Sequence, residues 1–336
     1  MVSRVDFVDG FWPWLEAQGC SALILHGWEG MPEDVPSDID FAVSGVAPDL
    51  YLELLARYSE ESGWNLVQVI EHETDALYAV CYQKGGDLSS VVLDVTWDYR
   101  RKGETFIDNS TIFEECWKPE TKNFYVPAPE VEFLYDFVKS ASKGRSLQEM
   151  KERLEPLFQS SQNSCSKLLG EWVEVSSGGS EKKTLSRWEE VERVYESSPA
   201  VTRLQSARKF GMNELKLYKR RVWEPTGLIV SYPSGLTKES LDQITGFLKD
   251  AFRWIKIAPE GASWLKRWII KRKSTLLLVP EKSGGFVDVS LNIESDFEEP
   301  GGDQESRNMA SQILEYMSRR VARQRLGLSS EQVTAK

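Results

Sequence analysis

Residues 37–45 read SDIDFAVSG. Polar and apolar side chains alternate along them, the period of a half-buried strand, and the pleat of a strand sends every second side chain to one face. Asp38 and Asp40 are two apart, so a strand here points both carboxylates the same way. Like charges abreast on one face destabilise a sheet unless a cation lies between them. On the N-terminal side, residues 20–27, CSALILHG, make an apolar run of strand length that Gly27 stops. Residues 28–37, WEGMPEDVPS, are rich in Gly, Pro and acids and predict a loop. On the C-terminal side, residues 49–62 place Leu50, Leu54, Leu55 and Tyr58 at helical spacing behind Asp49 as a cap. Residues 65–73, 76–84 and 89–99 then read as three strands, and residues 11–19 as a short helix ahead of everything. The pattern predicts a mixed α/β domain.

Asp94 lies inside VVLDVTWDY, residues 91–99, with apolar neighbours on both sides. Surface decoration explains an acid on an apolar strand poorly. Pairing this strand beside SDIDF would bring Asp38, Asp40 and Asp94 together. Three carboxylates suffice to hold Mg2+ (or Mn2+) against a nucleoside triphosphate, because these hard ions take carboxylate oxygens and leave other positions to water or phosphate. The competing reading is a solvated acidic edge strand whose charges prevent strand-to-strand aggregation.

Gly27, the eleven-position step to Asp38, the Asp-Ile-Asp pair and the later Asp94 together resemble the DNA polymerase beta-type nucleotidyltransferase superfamily. That family's motif is an apolar residue, Gly, then Gly or Ser, about ten residues to an Asp-x-Asp pair, and a third Asp downstream. More narrowly, the chain is similar to a bacterial group that joins such a domain to a thymidylate-kinase-like one, often associated with polysaccharide synthesis. The resemblance implies metal-dependent transfer of a nucleotidyl group from a triphosphate to a hydroxyl acceptor, with release of pyrophosphate. It makes Asp38 and Asp40 metal ligands and Asp94 both third ligand and general base. Gly27 would let the backbone approach the triphosphate. Trp28 departs from the pattern, standing where the family has Gly or Ser; an indole there either narrows the phosphate site or stacks on a base. Arg100 and Arg101, just after Asp98, are candidates for phosphate contacts. His26 reads as a packed strand-end residue.

The resemblance covers residues 1–125. Residues 126–223 are helical in period and form a connector, broken by the polar stretches SSQNS and SSGGSEKK. Residues 224–330 alternate strand and helix, as an α/β sheet with crossovers requires. There GLIVSYPSGLTKESL has the strand–turn–helix setting of a phosphate loop. It keeps Pro233, Gly235 and Lys238 in register, but Tyr232 and Thr237 replace the two motif glycines and Glu239 replaces the metal-binding hydroxyl. Backbone amides cannot curl around phosphate past such side chains. The segment therefore resembles a degenerate thymidylate-kinase-like domain. Arg319, Arg320, Arg323 and Arg325 mark a basic final helix, expected to dock on the chain's own acidic first half.

That half is acidic indeed: residues 1–140 hold 26 Asp and Glu against 9 Lys and Arg, while the whole chain carries a net charge of −11. Such a field attracts divalent cations and disfavours a nucleic-acid partner, whose phosphates are held by Lys and Arg. No run approaches the ~18–20 apolar residues that cross a bilayer, and the opening residues lack the apolar block of an export signal. Four scattered cysteines and two histidines leave no zinc pattern and suit a reducing cytoplasm. The leading expectation is a cytoplasmic Mg2+-dependent nucleotidyltransferase with a non-catalytic kinase-like domain and no membrane partner. The alternative is a catalytically inactive scaffold or regulatory protein built from two degenerate domains.

Overall fold

The structure is a computed structural model that describes residues 2–35, 37–73, 75–85, 88–101, 104–177, 187–205, 215, 227–233, 236–252, 254–257, 275–281, 287–291 and 303–327. It is mixed α/β. Helix α1 (Arg4–Ala17) leads into β1 (Ser21–Ile24), β2 (Ile39–Ser44), α2 (Pro48–Glu61), β3 (Trp64–Glu73), β4 (Ala76–Gln83) and β5 (Ser90–Thr96). These five strands form one sheet in the order β1-β2-β5-β4-β3. β2 and β5 run parallel in the middle, and the other pairings are antiparallel. Beyond them come the hairpin β6 (Tyr99–Arg101) and β7 (Glu104–Ile107), then α3 (Asn109–Phe113), α4 (Pro129–Lys143), α5 (Leu147–Ser160), α6 (Gln162–Ser177) and α7 (Trp188–Gln205).

Alternation decides the faces of this sheet. Ile24, Ile39, Phe41, Val43, Leu93 and Val95 turn to the face covered by α1 and α2, where Phe7, Phe11, Tyr58 and Trp64 form an aromatic cluster. Leu23, Leu25 and Ala42 turn the opposite way and meet Phe133, Leu134, Phe137 and Val138 of α4. α4 starts with Pro129 at its first turn and stops at Gly144 in the left-handed conformation, φ 69°, the usual punctuation of a helix. The far end of the same face, through Val80, Tyr82 and Val92, packs on the C-terminal section.

That section contains β8 (Leu228–Tyr232), α8 (Lys238–Leu248), β9 (Trp254–Ile257), β10 (Thr275–Pro280), β11 (Val289–Ser290) and α9 (Asp303–Arg325). The four strands are parallel, in the order β11-β8-β10-β9. Its contact with the first sheet is polar as well as apolar: Tyr82 Oη donates to Phe247 O at 2.8 Å and Gln68 Nε2 to Ala251 O at 3.3 Å. Among the described residues no helix is long and apolar enough to cross a membrane.

Several local expectations shift. α1 begins at Arg4, well before residue 11, because Ser3 and Asp6 form a reciprocal capping box. α2 begins at Pro48, which pre-sets the helical φ, and Asp49 lies inside the first turn; the cap position, Ala47, has no side-chain bond. At α8 the cap is Thr237, whose hydroxyl accepts Ser240 N–H at 3.1 Å. A side-chain oxygen thus takes one of the free amides at this helix start. Gly235 lies outside the described residues. Val321 of α9 and Leu326 just past its end pack on the cluster between the first sheet and α1–α2, whereas Arg320, mostly buried, donates to Gly227 O at 2.9 Å.

Candidate functional site

Asp40 and Asp94 are direct partners in the parallel β2–β5 register. Each sits between residues that turn to the α1–α2 face, Ile39 and Phe41 in one case and Leu93 and Val95 in the other. Both carboxylates therefore leave the opposite face, side by side. Tyr135 on α4 records the same arrangement: burial first, then the charges of Asp40, Tyr99 and Asp94, push its hydroxyl well above the ordinary range. It stays a neutral phenol and donates to Asp40 Oδ1 at 3.5 Å.

Asp38 is placed differently from the expectation. β2 begins at Ile39, so Asp38 precedes the strand, and its Oδ1 accepts the Ser37 hydroxyl at 3.0 Å. Among the described residues no three His, Cys, Asp or Glu side chains gather as a metal site. The strand pleat that sets Asp40 and Asp94 abreast begins one residue after Asp38. Its charge, with those of Asp250 and Asp94, still helps burial to raise the Tyr78 hydroxyl to about 12.

Asp40 is 8 % exposed and its two oxygens are both engaged. Lys139 Nζ lies 2.7 Å from Oδ1 and His26 Nε2 2.9 Å from Oδ2, while Nζ and Nε2 are 2.8 Å apart. Burial alone would raise this carboxyl, but the hydrogen bond from His26 and the Lys139 charge outweigh it and hold Asp40 well below the usual carboxylate range. His26, expected as a packed strand-end residue, is thus a direct partner of the central aspartate. Asp94 Oδ1 meets His72 Nε2 at 2.9 Å. His72 sits where the β3–β4 register slips between Glu71 and Glu73; a bulge of this kind re-aims a side chain, here across β4 to β5.

Farther along α4 the polar stripe continues. Glu132, Tyr135, Asp136 and Lys139 share one face by the three- and four-residue spacing. Glu132 and Asp136 are buried, and Arg153 of α5 lies 3.8 Å from the first and 2.6 Å from the second. Burial, then the neighbouring Asp136 charge, push Glu132 up to about 7 against the pull of Arg153. Burial also raises Asp136. The Trp28 indole N–H donates to Glu132 Oε2 at 3.4 Å, and its ring meets the half-exposed Trp117 edge-on at 6.1 Å. Trp28 is therefore anchored toward α4. Gly27 has φ +68°, and a Cβ built there meets nothing within 4 Å; the backbone conformation, not crowding, selects glycine.

Arg100 is paired with Asp98 at 2.6 Å and Asp75 at 3.4 Å, bonds that pin the β6–β7 hairpin to the β3–β4 turn. Of Arg101 the structure describes the backbone, which ends β6. A broad groove of about 790 Å3 lies elsewhere, between α2, the β3–β4 hairpin and α9. The residues missing from the sequence reading are Lys139, Tyr135, His72, Glu132, Asp136 and Arg153. For the α4 group a signal existed, since Glu132, Tyr135, Asp136 and Lys139 recur at helical spacing among the apolar Val131, Phe133, Leu134, Phe137 and Val138. For His72 none did, because a bulge leaves no mark in a strand-like run.

By donor type the carboxylate pair suits a divalent ion: Mg2+ is commonly held by one or two carboxylates, with water or substrate phosphate in the remaining positions, and Asp40 and Asp94 carry hard oxygens abreast, of which both on Asp40 and Oδ1 on Asp94 meet Lys139, His26 and His72 in this structure. No family model matches the chain, and no curated protein or solved structure proves significantly similar to it.

Proposed function

We propose that the chain is a cytoplasmic Mg2+-dependent nucleotidyltransferase that moves a nucleotidyl group from a nucleoside triphosphate to a hydroxyl acceptor. The observation that carries this reading is the in-register pair of Asp40 and Asp94 on adjacent parallel strands. Asp40 and Asp94 would hold the ion, with Asp38 at the mouth of the site. An ion held there would supply positive charge to offset the negative charge developing on the transferring phosphoryl group. Asp94 is the general base toward the acceptor hydroxyl, and His72 fixes the orientation of its carboxylate. Gly27, without a side chain, leaves the strand-end backbone open to the triphosphate. The C-terminal section contributes packing and no phosphoryl chemistry.

A second reading, a catalytically silent scaffold, draws on two observations: both oxygens of Asp40 are already engaged by Lys139 and His26, and Thr237 itself caps the helix start where a phosphate would bind. One experiment separates the two. Purified chain is incubated with Mg2+ or Mn2+, each of the four labelled triphosphates and cell-extract acceptors, and pyrophosphate release is followed. The transferase reading expects release that Asp94→Asn lowers by at least about 100-fold, the lower range for a positioned general base. If none of the four nucleotides raises the melting temperature or releases pyrophosphate, the scaffold reading stands.

A further inference from the structure

Lys139 is held in place from every side. Its stem rises from α4, which Phe133, Phe137 and Val138 lock against the sheet. Its ammonium touches Asp40 Oδ1 at 2.7 Å and His26 Nε2 at 2.8 Å, and stands 5.2 Å from the centre of the Tyr135 ring. The side chain is 14 % exposed. One carboxylate oxygen, one imidazole nitrogen and one aromatic face are the surroundings of a desolvated cation. An ammonium has three donors and no acceptor, so the Asp40 Oδ1 lone pair it occupies is closed to any other cation.

The geometry points to Lys139 as a built-in cation that takes, at Asp40, a position a divalent ion would otherwise fill. This rests on the reading of Asp40 and Asp94 as the metal-binding pair. Consequently the chain holds at most one divalent ion, on the Asp94 side of Asp40, and the ammonium supplies the second positive charge. A compact, strongly hydrated point charge suits this task, since guanidinium is broader and planar. The ammonium is carried by the helix, so it also faces any polyphosphate that enters beside Asp40.

The test is a Mn2+ titration of the full chain, with free Mn2+ counted by electron paramagnetic resonance. Wild type, Lys139→Met, Lys139→Gln, Asp40→Asn, Asp94→Asn and the Lys139→Met/Asp40→Asn double variant are compared. Melting curves report folding, and the Gln variant, which keeps amide donors for Asp40, serves if the Met variant does not fold. Removing a like charge within ~4–6 Å of a binding group changes its hold on a cation by roughly tenfold or more. Both Lys139 variants are therefore expected to bind Mn2+ at least about tenfold tighter than wild type, or to bind one ion more, and the double variant to lose that gain. Unchanged or weaker binding in the Lys139 variants, including no binding in any chain, overturns the inference, as does a gain that survives Asp40→Asn. The wild-type arm judges the transferase reading separately: no binding in wild type with binding in Lys139→Met upholds the built-in cation and removes the Mg2+-dependent activity. Wild-type binding that Asp94→Asn abolishes and Lys139→Met leaves untouched does the reverse.

Discussion

Changing Glu132 to Gln should stabilise the protein, and only at neutral and alkaline pH. Glu132 is 6 % exposed, and burial with the adjacent Asp136 charge raises it from an ordinary 4.5 to about 7. Between those values the folded chain keeps a proton that the unfolded chain has released. Folded chains then bind more protons than unfolded ones, so stability falls as pH rises through this window. At ~1.4 kcal/mol per tenfold, holding a proton from 4.5 up to about 7 amounts to a cost of about 3 kcal/mol, fully present above pH 7. Glutamine preserves an oxygen for the Trp28 indole and gives up only the weak attraction of Arg153 at 3.8 Å. Urea unfolding at pH 4.5, 6, 7 and 8 should therefore give equal stabilities at the acid end and a variant more stable by about 2–3 kcal/mol at pH 8. A difference that does not change with pH, or a variant less stable at pH 8, would refute the argument that Glu132 is buried without sufficient compensation.

Asp40 should act in the opposite direction. Its carboxyl is held below its ordinary 3.8, so it contributes stability above that pH that is lost as the pH falls further, and Asp40→Asn should remove this acid limb from the stability profile. The same substitution strands Lys139 in a buried site and should cost about 3–5 kcal/mol near pH 7, measured by urea unfolding. Phe137 is fully buried between Phe133, Trp172 and Tyr195, so Phe137→Ala should cost about 3–5 kcal/mol by the same measurement and loosen the helix that carries Lys139. Gly27→Ala should cost only about 1–2 kcal/mol, from its left-handed backbone alone, since a Cβ there meets no atom; a much larger loss in thermal unfolding would mean hidden crowding.

Much of this molecule can be worked out from local pattern. The alternation of SDIDFAVS and VVLDVT, read with the period of two, places Asp40 and Asp94 on strands, and the two strands do lie side by side. That Tyr232, Thr237 and Glu239 are at odds with a phosphate loop is equally legible, because a missing glycine is a statement about one position's conformational freedom. These features depend on neighbours in the chain, whose geometry the residues themselves dictate.

Only the tertiary structure decided what meets those carboxylates. Lys139 is 99 positions from Asp40 and His72 is 22 from Asp94, and no periodicity links residues on different elements. The approach of α4 to β2 depends on how Phe133 and Phe137 fill the space over Leu23 and Ala42, a matter of volume summed over many side chains. The aim of His72 depends on a register slip, the placement of Asp38 on where a strand begins. Electrostatics at the site follows from that packing: charges separated in sequence become a desolvated cluster only once the helix is laid on the sheet, and desolvation governs how strongly they hold one another.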